Sequence, residues 1–150
     1  MNLPKLIPIS DEALKRPTIL LLADDINAPS GIGTMAREFV FNTANQFNWI
    51  QIASTVDHPD KGKILDISKI VEDETGYENV SVKLYPYSGY GDAGILRHIL
   101  NNETVHAILH FTDPRYWTWL YAMEYEIRST YKIPIMYYSI WDDLPYPHWN

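Results

Sequence analysis

Cysteine is absent from the 150-residue chain, which excludes disulfides, thiolate zinc sites and a cysteine nucleophile. Basic side chains are scarce: 12 Lys and Arg against 19 Asp and Glu leave a formal net charge of -7. That is the wrong sign for a protein that tracks phosphate backbones, so no nucleic-acid partner is expected. Long apolar runs are missing; none approaches the ~20 residues that a membrane-spanning helix requires. Residues 1–16 lack the basic start and apolar core of a secretory signal, which points to a cytoplasmic protein without an integral membrane segment. No H-x-x-x-H or H-E-x-x-H spacing marks a metal site, no Gly-Lys-Ser/Thr a Walker loop, and no G-x-S-x-G a nucleophile elbow.

What is present has ordinary globular proportions, 46% hydrophobic and 21% charged residues, at the length of one domain able to bury a core. Short apolar runs alternate with helical patterns. Thr18-Ile19-Leu20-Leu21-Leu22-Ala23 reads as a first strand, residues 49–54 as a second, 80–85 as a third closed by Pro86, 107–111 as a fourth and 135–140 as the last. Between them, residues 33–46 carry apolar positions at helical spacing. Residues 64–74 are weakly helical up to Gly76, and Asp92 caps a helix with Ile95, Leu96, Ile99 and Leu100 on its buried face. Thr112-Asp113-Pro114 opens an aromatic-rich helix that runs to about Tyr131. This alternation predicts an α/β fold: a Rossmann-like three-layer sandwich around a mostly parallel sheet of about five strands, with residues 1–16 as an extension and 17–150 as the domain.

In such sheets ligands bind outside the carboxyl ends of the strands. The rule gathers Asp24, Asp25, Asn27 and the Ser30-Gly31-Ile32-Gly33 helix start from the first strand, and Tyr87, Ser88, Gly89 and Tyr90 from the third. The fourth strand adds His110, Thr112, Asp113 and Arg115, and the fifth Trp141, Asp142 and Asp143. Carboxylates hydrogen-bond neutral hydroxyls and aromatic rings stack on sugar faces, so the mixture suits a polyhydroxylated ligand better than a bare polyphosphate. A dinucleotide remains in view, because residues 31–36 match G-x-G-x-x-A and Asp57 stands near the place of a ribose-binding acid. Against it, residues 24–30 intervene between strand and glycines. His58, His98, His106 and His148 read as loop or surface residues. His110 is an inward-facing position of a central strand.

Residues 24–36, 110–115 and 135–147 together resemble the N-terminal domain of a family-four glycosyltransferase of the GT-B fold, of the phage and metagenomic type. The resemblance implies half of a two-domain architecture, with acceptor groups on this domain (Asp24, Asn27, Tyr90, Thr112, Asp113, Arg115, Trp141 and Asp143). It also implies a glycine-rich loop, Ser30, Gly31, Ile32 and Gly33, touching the donor's diphosphate or sugar. A nucleotide-sugar co-substrate is implied, with no metal or other cofactor, and so is a donor-binding C-terminal domain in the same or another chain. No paired-glutamate motif of such a donor domain occurs in residues 1–150. The family often has His-Asp after the last strand, where this chain has Trp141-Asp142. Asp142 is therefore carried over as catalytic, with the histidine's role moved to His110 and Trp141 as a stacking wall. The alternatives are a stand-alone glycan- or nucleotide-binding module and a dinucleotide-binding oxidoreductase domain. On the two-domain reading the isolated chain has negligible transferase activity.

Overall fold

The computed structural model describes residues 9–140. After a short helical turn, α1 (Asp11–Leu14), the chain runs β1 (Thr18–Asp24), α2 (Gly31–Thr43), β2 (Asn48–Thr55), β3 (Leu65–Asp66), α3 (Ser68–Thr75) and β4 (Val82–Ser88). It continues through α4 (Ala93–Asn102), β5 (Ala107–Thr112), α5 (Thr118–Glu126) and β6 (Ile135–Ser139). The six strands pair in the order β3-β4-β2-β1-β5-β6, all parallel except β3. The fold is thus an α/β, Rossmann-like three-layer sandwich.

β1 lies at the centre of the sheet and is buried on both faces, which is why its sequence is a continuous apolar run rather than an alternating one. Leu21, Ala23 and Phe111 face one layer with Ala36 and Val40 of α2 and Val71 of α3. Leu20, Leu22 and Ile108 face the other, against Leu96 and Ile99 of α4, Leu120 and Met123 of α5, and Trp117. Burying each such Leu or Ile contributes about 1.5–3 kcal/mol. Polar caps fix where the helices start: Ser30 Oγ accepts from Gly33 N at 2.9 Å and Asp92 Oδ1 from Ile95 N at 2.9 Å. Gly76, in the left-handed region at φ 75°, ends α3.

Four expectations need correction. The sheet has six strands, because Leu65–Asp66 pairs antiparallel with Leu84 and Lys83 before the helical stretch begins. Pro86 lies inside β4, opposite Ala53 of β2, rather than closing the strand. It is tolerated there because β3 covers β4 only at residues 83 and 84, leaving no strand to require its missing N–H. α2 begins two residues before Gly33, at the residue after its cap, and ends at Thr43. The aromatic-rich helix is three pieces: a 3-10 turn Pro114–Tyr116, α5, and a π-helical turn Ile127–Tyr131 that ends on Lys132 at φ 59°.

The described part of the expected extension packs on the domain. Ala13 is buried, Asn48 Nδ2 donates to its carbonyl at 2.7 Å, and Arg16 reaches the carbonyls of Ala44 and Asn79.

Candidate functional site

β1 and β5 are neighbours, and the helices that follow them cover opposite faces of the sheet. Their carboxyl ends form the topological switch point of the sheet, the place where a ligand crevice is expected in such folds.

On the β1 side Asp24, Asp25 and Ser30 are engaged by their neighbours. The carboxylate of Asp24 accepts from the Ser30 hydroxyl at 2.8 Å, and Gln51 Nε2 donates to the Asp24 carbonyl at 2.7 Å. Asp25 is buried; one of its oxygens accepts from Asn27 N at 2.7 Å and the other lies 2.7 Å from Nε2 of His58. Since His58 Nδ1 accepts from Asp60 N at 3.1 Å, the ring proton sits on Nε2 and donates to Asp25. His58 is therefore not the surface residue its loop sequence suggests. It is a buried clamp between the loops after β1 and β2, and both ring nitrogens are used. The only sequence signal was a histidine following a strand that ends opposite Asp24 and Asp25.

The two glycines of the helix start have different reasons. A Cβ on Gly33 would sit 2.7 Å from the Asp25 carbonyl and 2.8 Å from that of Ala28, so only glycine lets α2 approach its own loop. A Cβ on Gly31 would meet nothing within 4 Å. With Gly33 N taken by Ser30, the amides of Gly31 and Ile32 are the first-turn donors left to a ligand. Asp24 already brings negative charge to this helix end, which favours a hydroxyl-bearing partner over a bare polyphosphate.

Across the crevice, Tyr90 stacks on Tyr116 with ring centroids 4.5 Å apart and planes within 9°. Trp119 Nε1 holds the Tyr90 carbonyl at 3.2 Å. The adjoining Gly91 has φ 76°, and an added Cβ would lie 3.1 Å from the Trp119 ring. The Tyr90 hydroxyl titrates above its ordinary range, first through burial and then through the charge of Asp24, the neighbouring Tyr116 and the charge of Asp113. Asp24, Tyr90, Tyr116 and Asp113 thus share one electrostatic neighbourhood. Asp113 caps the 3-10 turn at Arg115 N, 2.9 Å, and pairs with the Arg115 guanidinium, whose Nε lies 2.7 Å from Oδ2. Burial pushes the Asp113 carboxyl up, but hydrogen bonds and charge from Arg115 outweigh it and hold it below the ordinary value.

The remaining predicted residues separate. Asn27 is exposed, whereas Thr112 is buried and its hydroxyl has no hydrogen-bond partner among the described residues. His110 is fully buried, edge-on to the rings of Trp117, Tyr121 and Tyr137 at 5.3, 6.1 and 5.7 Å. Among the described residues neither ring nitrogen has a hydrogen-bond partner, and burial pushes its pKa down to about 4, so the ring is neutral and presents nothing to solvent. Trp141, Asp142 and Asp143 lie outside the described residues. Among the described residues, no group of three or more metal-ligating side chains comes together, and no helix is long and apolar enough to cross a membrane.

Compared with protein-family models, curated proteins and solved structures, the chain matches none.

Proposed function

We propose that this domain is the acceptor-side half of a glycosyltransferase, acting in the cytoplasm on a nucleotide-sugar donor and a hydroxyl acceptor. A second, donor-binding domain, in the same or another chain, completes the site. The observation that carries the reading is the stacked pair of Tyr90 and Tyr116 beyond the carboxyl ends of β4 and β5, with the carboxylate of Asp113 capping the turn that carries Tyr116. Carboxylates accept hydrogen bonds from sugar hydroxyls, and a half-exposed tyrosine pair offers an apolar platform for a sugar face.

In the transfer, an acceptor oxygen bonds to the anomeric carbon while the bond from that carbon to the diphosphate breaks. The electron pair leaves with the diphosphate. The amides of Gly31 and Ile32 at the start of α2 suit the charge growing on that leaving group. The proton lost by the acceptor goes to a base, for which the resemblance nominates Asp142. His110 takes no step here, because both its nitrogens are buried.

Calorimetric titration with short oligosaccharides tests the reading directly: binding that requires Tyr116 supports it. Stabilisation by micromolar nicotinamide dinucleotide, with no response to saccharides, favours the oxidoreductase alternative instead. For that alternative the glycine pattern is weak support, because Gly33 is accounted for by contact with its own loop.

A further inference from the structure

A second recess lies two strands away from the crevice. Residues 61–64, the carboxyl-terminal half of β4 and one face of α4 enclose about 430 Å³, within the range of small-ligand sites. Its floor is aromatic. Tyr85 and Tyr87 project from the same face of β4, between Ile64 and Ile95. Both hydroxyls are already committed: Tyr85 donates to Glu103 at 2.9 Å and Tyr87 donates to Asp92. Burial and the bond to Glu103 raise the Tyr85 pKa and keep that hydroxyl protonated. Tyr85 is 5% exposed and closes the bottom of the recess, so the half-buried ring of Tyr87, rather than either hydroxyl, is what a ligand would meet.

The mouth carries two lysines. Lys61 and Lys63 line it, and His98 sits edge-on to Tyr85 at 6.5 Å. The nearby carboxylates are occupied. Asp60 pairs with Lys63, Asp92 takes Tyr87 and caps α4, Glu103 takes Lys83 at 3.0 Å, and Asp57 lies 3.5 Å from the Ser88 hydroxyl. Lys61 makes no ion pair among the described residues. The wall that carries these lysines is braced by turns, with Lys61 N bonded to the His58 carbonyl and Lys63 N to that of Asp60. Lys61 is thus the cation of the mouth left to a ligand, beside an aromatic floor.

We propose that this recess binds a planar aromatic anion, the ring lying on Tyr87 above buried Tyr85 and the negative group at Lys61. The site is separate from the sugar crevice and stands whether or not the transferase reading does.

The test is titration of AMP into the isotope-labelled full chain, followed by amide NMR, with adenosine and ribose 5-phosphate as ring-only and anion-only controls. Shifts confined to residues 61–64, 85–88 and 95–98, with each control binding about tenfold or more weakly, are expected. The double variant Lys61→Ala, Lys63→Ala loses about tenfold in AMP affinity while its circular dichroism and melting temperature match the parent, since both side chains are exposed. Ile95→Trp, which narrows the recess, also weakens AMP. Unmoved resonances at millimolar AMP, equal binding of ribose 5-phosphate, or undiminished affinity in the double variant overturns the proposal.

Discussion

Nε2 of His58 lies 2.7 Å from Oδ2 of Asp25, both side chains less than one-tenth exposed, joining the loop after β2 to the loop after β1. The contact fixes the rim of the candidate crevice from beneath. Truncating the histidine strands a buried carboxylate, and such losses run to about 3–5 kcal/mol. His58→Ala is therefore expected to lower unfolding free energy by about 3 kcal/mol in urea denaturation. Asp25→Asn keeps an acceptor and costs less. A His58→Ala variant as stable as the parent refutes the clamp.

The buried imidazole of His110 makes stability depend on pH. Its folded pKa of about 4 lies below the ordinary value of 6.5, so the unfolded chain binds this proton first as pH falls. Stability from this group is full above about pH 6.5 and is lost progressively down to about pH 4, an effect of about 3 kcal/mol. His110→Leu removes that part of the slope. Denaturation midpoints of parent and variant between pH 4 and 7 measure it, and parallel profiles contradict the assignment.

Gly31 and Gly33 separate packing from function. Gly33→Ala forces a methyl against two carbonyl oxygens and is expected to cost about 1–3 kcal/mol. Gly31→Ala meets open space and is expected to stay within about 0.5 kcal/mol of the parent. Equal melting temperatures for the two variants contradict the loop geometry.

Tyr116 is half exposed and stacks on Tyr90. Tyr116→Ala is expected to change stability by about 1 kcal/mol or less while reducing saccharide affinity about tenfold. Unchanged saccharide binding, measured calorimetrically, removes the platform from the proposed site.

The parallel core was legible because a buried central strand must be a continuous apolar run, as residues 18–23 are, and because 49–54 alternates while 107–111 is a short apolar-rich stretch. The caps at Asp92 and Asp113 were legible because short polar side chains bond amides a few residues on. Three features were not legible. β3 spans two residues and exists only through its pairing with Leu84 and Lys83, which no local pattern encodes. The break of the aromatic-rich helix depends on Trp117 turning its ring fully into the core. His58 looked like a loop residue, since its burial comes from a residue 33 positions away. At the site, the edge rule gathers Thr112 and His110 with Asp113, but Thr112 and His110 are buried whereas Asp113 is half-buried at the strand end.

The chain of bonds from Asp24 through Ser30 to Gly33, with Asp25 pinned between Asn27 and His58, leaves the first rim of the crevice little conformational freedom to surrender. A guest arriving there forfeits mainly its own motion and that of exposed Asn27 and Tyr116. Recognition at such a rim resembles a key meeting a finished lock, so encounter rates should track diffusion and charge rather than any slow rearrangement of the host.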